Sequence, residues 1–259
     1  MRILFVADVV GVPGRRAVEE RLPSLREELG VDVCILNGEN LADGVGITPK
    51  LADRMLASGA DAITLGNHVW RRREIVPYLK QSDRVVRPAN LSSSAPGRGL
   101  TVVSAGDNGK VGVINLLGSL FIGPPHNPFE VVDGLVAEAR KQTPVIVVDM
   151  HGEATSEKVA LSRWLDGKVT AVIGTHTHVQ TNDARVQPGG TAAITDAGMT
   201  GPHDSVIGVV ADLAIRQMRT SMPVRFETAA GDVRIEGLFV ECDGNGRATR
   251  CEAVRVPVA

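Results

Sequence analysis

The sequence offers no apolar run approaching the ~18 residues of a membrane span, although hydrophobic residues make up 43% of its 259 positions. It holds three cysteines, Cys34, Cys242 and Cys251. An odd number with no Cys-x-x-Cys spacing excludes both a disulfide scaffold and a thiolate zinc site. Charge of one sign is missing as well: 28 basic against 30 acidic residues leave a net charge of −2. Nothing in that balance draws the chain onto nucleic acid or a membrane. Stable binding to either is not expected, although a local positive centre such as a pair of metal ions could still hold a small anion. The segment Gly11-Val12-Pro13-Gly14 lacks the P-loop lysine and the Gly-x-Gly-x-x-Gly spacing, so neither nucleotide-binding signature applies. Internal repeats, low-complexity tracts and linkers are absent too. The start Met1–Val6 is too short for a secretory signal and is soon followed by Asp8, and a cytoplasmic location is expected.

A chain of this length buries roughly 70–75% of its unfolded surface, and one domain over residues 1–259 is the simplest organisation. Short apolar runs alternate with helical patterns. Residues 3–7 read as a buried strand ending at Asp8, followed by a loop to Gly14 and a helix from about Arg15 to Leu29, closed by Gly30. Val33–Leu36 and Ala62–Leu65 are further strands, with a helix near Pro49–Ala57 between them and one around Ile75–Leu79 after them, opened by Arg71–Arg73. From residue 85 short strands (85–87, 100–104, 110–117) are separated by Ser, Pro and Gly. A helix over 129–141, a strand over 145–148, a helix over 157–165 capped by Ser156, and strands over 169–173 and 191–195 follow. Residues 205–219 read as a helix, and the tail as strands over 224–228, 233–242 and 249–256 with a hairpin turn at Asp243–Gly246. The β-α-β-α-β start predicts a largely parallel sheet, and the later hairpins predict a second, mixed sheet stacked on it.

The residues that carry chemistry stand where strands end. Asp8, Glu39-Asn40, Asn67-His68, His151 and His176/His178 each follow an apolar run, and in open α/β sheets ligands bind at the carboxyl ends of strands. Each has a structural alternative: a turn residue, a cap, a core histidine, a surface imidazole. Their common position in five separate strands is the signal. His-x-His on a strand sets both imidazoles on one face. Carboxylates, amide oxygens and imidazoles together suit borderline divalent metals such as iron, manganese or zinc rather than calcium. Glu39, central in the order, can bridge two ions about 3.5–4 Å apart. His126 and His203 follow no strand and read as loop residues; Glu153 and Asp196 read as partners for ligand histidines or as turn acids.

In this order, Asp8, Asn37-Gly38-Glu39-Asn40, Gly66-Asn67-His68, Asp149-Met150-His151-Gly152-Glu153, Gly174-Thr175-His176-Thr177-His178 and Thr195–Pro202 resemble the calcineurin-like metallophosphoesterases, and more narrowly their bacterial YmdB family. The broad superfamily carries Asp-x-His after its first strand, where this chain has Val10, and Gly-Asp after its second, where this chain has Gly38-Glu39; the narrower family shares both departures. The resemblance implies a four-layer α/β/β/α sandwich with two mixed sheets. It implies two metal ions per chain, iron foremost and manganese or zinc as alternatives. One ion would be held by Asp8, Glu39, Asn40 and His178, the other by Glu39, Asn67, His151 and His176. It further implies phosphodiesterase activity on 2′,3′-cyclic nucleotides, by in-line attack of a hydroxide bridging the ions, with His68 as general acid. The same metal core would serve a phosphomonoesterase or nucleotidase, and a regulatory protein that holds metal or nucleotide with little turnover is a third reading. The small-molecule partner is then a cyclic nucleotide or another phosphodiester, and the alternating C-terminal strands leave room for a homo-oligomer.

Overall fold

The structure, a computed structural model, describes residues 1–258. The elements run β1 (Arg2–Val6), α1 (Gly11–Leu29), β2 (Val33–Asn37), α2 (Pro49–Ala57), β3 (Ala62–Thr64), α3 (Ile75–Gln81), β4 (Val85–Val86), β5 (Leu100–Ser104), β6 (Lys110–Leu117), α4 (Pro128–Arg140), β7 (Ile146–His151), α5 (Thr155–Trp164), β8 (Ala171–Thr175), β9 (Arg185–Val186), β10 (Ala192–Ile194), β11 (Gly201–Asp204), α6 (Ala211–Thr220), β12 (Gly231–Cys242) and β13 (Ala248–Pro257).

Two mixed sheets form. In the first, β1, β2, β3 and β4 are parallel neighbours, and β12 pairs antiparallel with β1, β13 and β11. In the second, the order is β5-β6-β7-β8-β10-β9, parallel from β6 to β10 with an antiparallel strand at each edge. The β5–β6 hairpin does edge the second sheet. The C-terminal hairpin instead extends the first, since Gly237–Glu241 of β12 satisfy the edge that β1 would otherwise expose.

Strands buried on both faces explain the continuous apolar runs. Phe5, Ile35, Val113, Val147 and Ile173 pack between the sheets. Leu4, Leu36 and Ile63 face outward onto Val18, Leu22 and Met55 of α1 and α2, and Ile114, Val148 and Val172 face Val132, Val136 and Leu161 of α4 and α5. The layering is therefore α/β/β/α.

Several boundaries differ from the sequence reading. Helix α1 starts at Gly11, four residues early, because Pro13 falls in the first turn where no N–H is needed. Ser156 is no cap; α5 starts at Thr155 after Ala154, without a side-chain cap. Arg71–Arg73 lie in turns before α3. Residues 205–210 are not helical, and 224–228 form a single bridge, Thr228 to Val209, rather than a strand.

Candidate metal centre

Five strand ends from both sheets meet at one rim. Asp8 follows β1, Glu39 and Asn40 follow β2, Asn67 and His68 follow β3, His151 ends β7, and His176 and His178 follow β8. Asp8, Glu39, Asn40 and His151 are buried.

Two groups of side chains converge there. In one, His151 Nε2 lies 3.0 Å from Asn67 Oδ1, 3.1 Å from His176 Nδ1 and 3.2 Å from Glu39 Oε1. In the other, His178 Nε2 lies 3.3 Å from Asp8 Oδ2 and 3.1 Å from Asn40 Nδ2. His68 stands between them: its Nδ1 is 2.8 Å from Asn40 Oδ1 and 3.1 Å from Glu39 Oε1, and its backbone N–H donates to Glu39 Oε2.

The two histidines after β8 do not share a strand face, because the strand stops at Thr175. His176 and His178 have φ of 104° and 64°, a region costly for residues other than glycine. The chain therefore winds, and the rings face different partners. Asp196 holds this loop by accepting from the backbone N–H and hydroxyl of Thr177, and it pairs with the buried Lys158 at 2.8 Å. It thus supports the loop that carries both histidines without touching an imidazole. Glu153, by contrast, lies 3.0 Å from His176 Nε2 at the solvent edge. His203 sits in β11, 3.2 Å from the Met199 carbonyl, and not in a loop; His126 is in a loop and exposed, its backbone N–H donating to the Asn90 carbonyl.

Hydrogen bonds fix the ring tautomers. Thr175 donates its hydroxyl proton to Asp149 Oδ1 at 2.7 Å, so at 2.9 Å it accepts from His151 Nδ1–H. Likewise the Ile207 carbonyl accepts from His178 Nδ1–H at 2.9 Å. With Nδ1–H committed in both rings, it is Nε2 that faces the carboxylates, and its lone pair becomes available for an ion once the ring gives up its second proton. Thr175 and Ile207 carry no sequence signal for this role.

The electrostatics favour a cation. Burial opposes charge on Glu39, but His151 and His68 beside it hold its carboxyl well below the usual range. Burial would neutralise His151, yet Glu39, Asp8 and Asp149 push it up to about 9. His178 is raised by Asp8 against its burial, while burial and the charge on His151 lower His176. The buried carboxylates thus draw positive charge inward, a demand that a divalent ion satisfies directly. Three further observations fit such ions. Asp8 Oδ1 is buried with no hydrogen-bond partner. Ligand atoms of Glu39, His151 and His176 lie within 4.8 Å of one another. Gly66 lets Glu39 Oε2 and His151 Nε2 approach the backbone where a Cβ would overlap both, so that the two groups can converge.

The rim opens into a cavity of ≈ 440 Å³, within the roughly 300–1,000 Å³ of small-molecule sites. Clefts of similar size beside Val12–Glu20 and beside Met1 and Lys110 contain no histidine.

A model of the family described as "YmdB-like protein" matches residues 4–254. The chain belongs to the YmdB-like family. It is 49% identical, over 94% of its length and 92% of the relative's, to the 2′,3′-cyclic-nucleotide 2′-phosphodiesterase of Bacillus subtilis (strain 168). A hypothetical protein of Thermus thermophilus superposes with a TM-score of 0.93 at 36% identity, covering 99% of both chains. A crystal structure described as a novel phosphatase of Mycoplasma pneumoniae gives 0.91 at 34% identity, covering 99% of this chain and 93% of that one. The calcineurin-like metallophosphoesterase sandwich expected for YmdB-like chains is the fold present here.

Proposed function

We propose that this YmdB-like protein hydrolyses 2′,3′-cyclic nucleotides at a two-ion centre. The observation that carries the reading is the pair of ligand groups on either side of His68, at the floor of a cavity. The identity to the Bacillus subtilis phosphodiesterase supports the substrate class. Asp8, Asn40 and His178 would hold one ion, Asn67, His151 and His176 the other, with Glu39 shared. Asn40 would ligate through Oδ1, the atom that here faces His68. The mixed nitrogen and oxygen donors favour iron, manganese or zinc. When bound, the ions supply Lewis acidity at the phosphate and lower the pKa of water.

The chain's own residues supply the rest. Water adds to phosphorus in line with a ribose oxygen, that P–O bond breaks, and the oxygen leaves needing a proton. His68 is placed to give it. A carboxamide oxygen only accepts, so His68 Nδ1 carries the proton toward Asn40 Oδ1, and Nε2 is left to carry the transferable one. The cavity wall includes Asp43, Glu153 and Glu227 and no lysine or arginine. Arg72, just behind the wall, pairs with Asp43 at 3.6 Å, and the remaining excess of carboxylates suits a singly charged diester better than a doubly charged monoester.

The test is a panel of 2′,3′-cyclic nucleotides, nucleoside monophosphates and bis(p-nitrophenyl) phosphate, with metal analysis of the same preparation. Cyclic-nucleotide turnover is expected to dominate, and His68→Ala to lower it by about 10²–10⁴-fold at unchanged metal content. Strong monoester turnover with none on cyclic nucleotides overturns the proposal.

A further inference from the structure

The cavity has a second character beyond its carboxylates and imidazoles. Its outer wall comes from residues 207–209 and 226–228 and is largely apolar. Ile207 is 53% exposed and Phe226 46% exposed. Ile207 also has φ of 47°, a backbone region that β-branched residues avoid. An apolar side chain turned toward water from a strained backbone is unfavourable twice, and no core packing offsets it.

The two segments are nevertheless pinned. Val210 N–H donates to the Glu227 carbonyl at 3.0 Å and Ala229 N–H to the Gly208 carbonyl at 2.9 Å, around the Val209–Thr228 bridge. The Ile207 carbonyl is itself tied to His178. The shelf is therefore held in fixed relation to the candidate ion ligands beneath it, and strain of this kind collects where a ligand is gripped.

We propose that Ile207 and Phe226 form the seat for the substrate's nucleobase, above the cyclic phosphate. This rests on the nucleotide phosphodiesterase reading. The charge pattern selects the occupant: ion ligands below for one anionic group, an acidic rim that disfavours further phosphates, and an aromatic face for a flat ring. Because every base has a π-face, the seat is expected to tolerate all four bases.

Steady-state kinetics on 2′,3′-cyclic AMP and on glycerol 1,2-cyclic phosphate, which has the same reacting ring and no base, test this. Phe226→Ala is expected to raise KM for cyclic AMP about tenfold, from the usual worth of base stacking. It should leave kcat, and both constants for the base-free substrate, essentially unchanged. Phe226→Trp should restore the wild-type KM. An equal loss on both substrates, no loss on either, or an altered oligomeric state at unchanged KM overturns the base seat. If the wild type leaves cyclic AMP intact, the phosphodiesterase reading fails by itself, and the uncleaved nucleotide then serves as a calorimetric ligand. A weaker Kd in Phe226→Ala still supports the seat; an equal Kd, or no binding to the wild type, overturns it.

Discussion

His176 and His178 are separated by one residue, yet their rings meet different partners: His151 and Glu39 on one side, Asp8 and Asn40 on the other. The left-handed φ values at both positions produce the divergence. Each variant, His176→Ala and His178→Ala, is therefore expected to retain about one of the two ions proposed from ligand geometry, measured by elemental analysis of protein purified without chelators. Loss of both ions from either variant would show a shared site instead. That Asp8, Glu39, Asn67 and His151 would gather was legible from their places after apolar runs, because the parallel-strand rule sends strand ends to one edge. The parts played by Thr175, Ile207 and Asp196 were not. Each acts through a hydrogen bond to a residue distant in sequence or through an unusual backbone angle, and neither leaves a pattern in residue type.

At the scale of elements, strands were easier to place than helix ends. A doubly buried strand such as β2 or β7 is written as an unbroken apolar run, whereas the start of α1 hinges on whether Pro13 ends a loop or begins a turn. Helix α6 buries only Ala214 and has no side-chain cap at its start, so no core face fixes its extent, and the sequence periodicity overstated it. The loop between β8 and β10 shows how such connections are held. Asp183 accepts from the Thr181 hydroxyl at 2.7 Å, from Thr195 N–H at 3.0 Å and from the Thr195 hydroxyl. Burial alone would raise this carboxyl, but these hydrogen bonds outweigh it and hold the pKa below its ordinary value. A depressed folded pKa means that the group stabilises the fold above its unfolded value of about 3.9 and loses that contribution as pH falls through the folded one. Asp183→Asn is thus expected to be less stable than the wild type near neutrality, with the gap narrowing in acid. Denaturant melts at several pH values would detect this, and a gap that stayed constant or widened would contradict it.

At the scale of the molecule, the centre straddles two sheets. Asp8, Glu39, Asn40 and Asn67 come from the first, and His151, His176 and His178 from the second. Buried bonds already cross this seam: Asp149 of β7 accepts from Asn37 of β2 at 3.0 Å and from Thr64 of β3. Ions bound by both sheets would stabilise the native state alone. At a free metal concentration a hundred times Kd, that linkage amounts to about 2.7 kcal/mol per ion, or about 5–10 °C in Tm for each ion bound by a chain of this size. Calorimetric scans of chelator-treated and manganese-loaded protein should differ by that margin; coincident Tm values would mean that the ions do not join the sheets.

The same straddling has a bearing on how the protein is made. While only the β1–β4 portion of the chain has left the ribosome, Asp8, Glu39 and Asn67 are available, but the three imidazoles from β7 and β8 have yet to be synthesised. No early fragment can assemble the full set of proposed ligands. The Asp8 carboxylate must wait for the last third of the chain, including the backbone N–H of His176 that binds it. Assembly of the proposed centre is thereby tied to synthesis of β8 and the loop after it, and a product truncated before β8 would lack two of its three ligand imidazoles and the inner part of its second sheet.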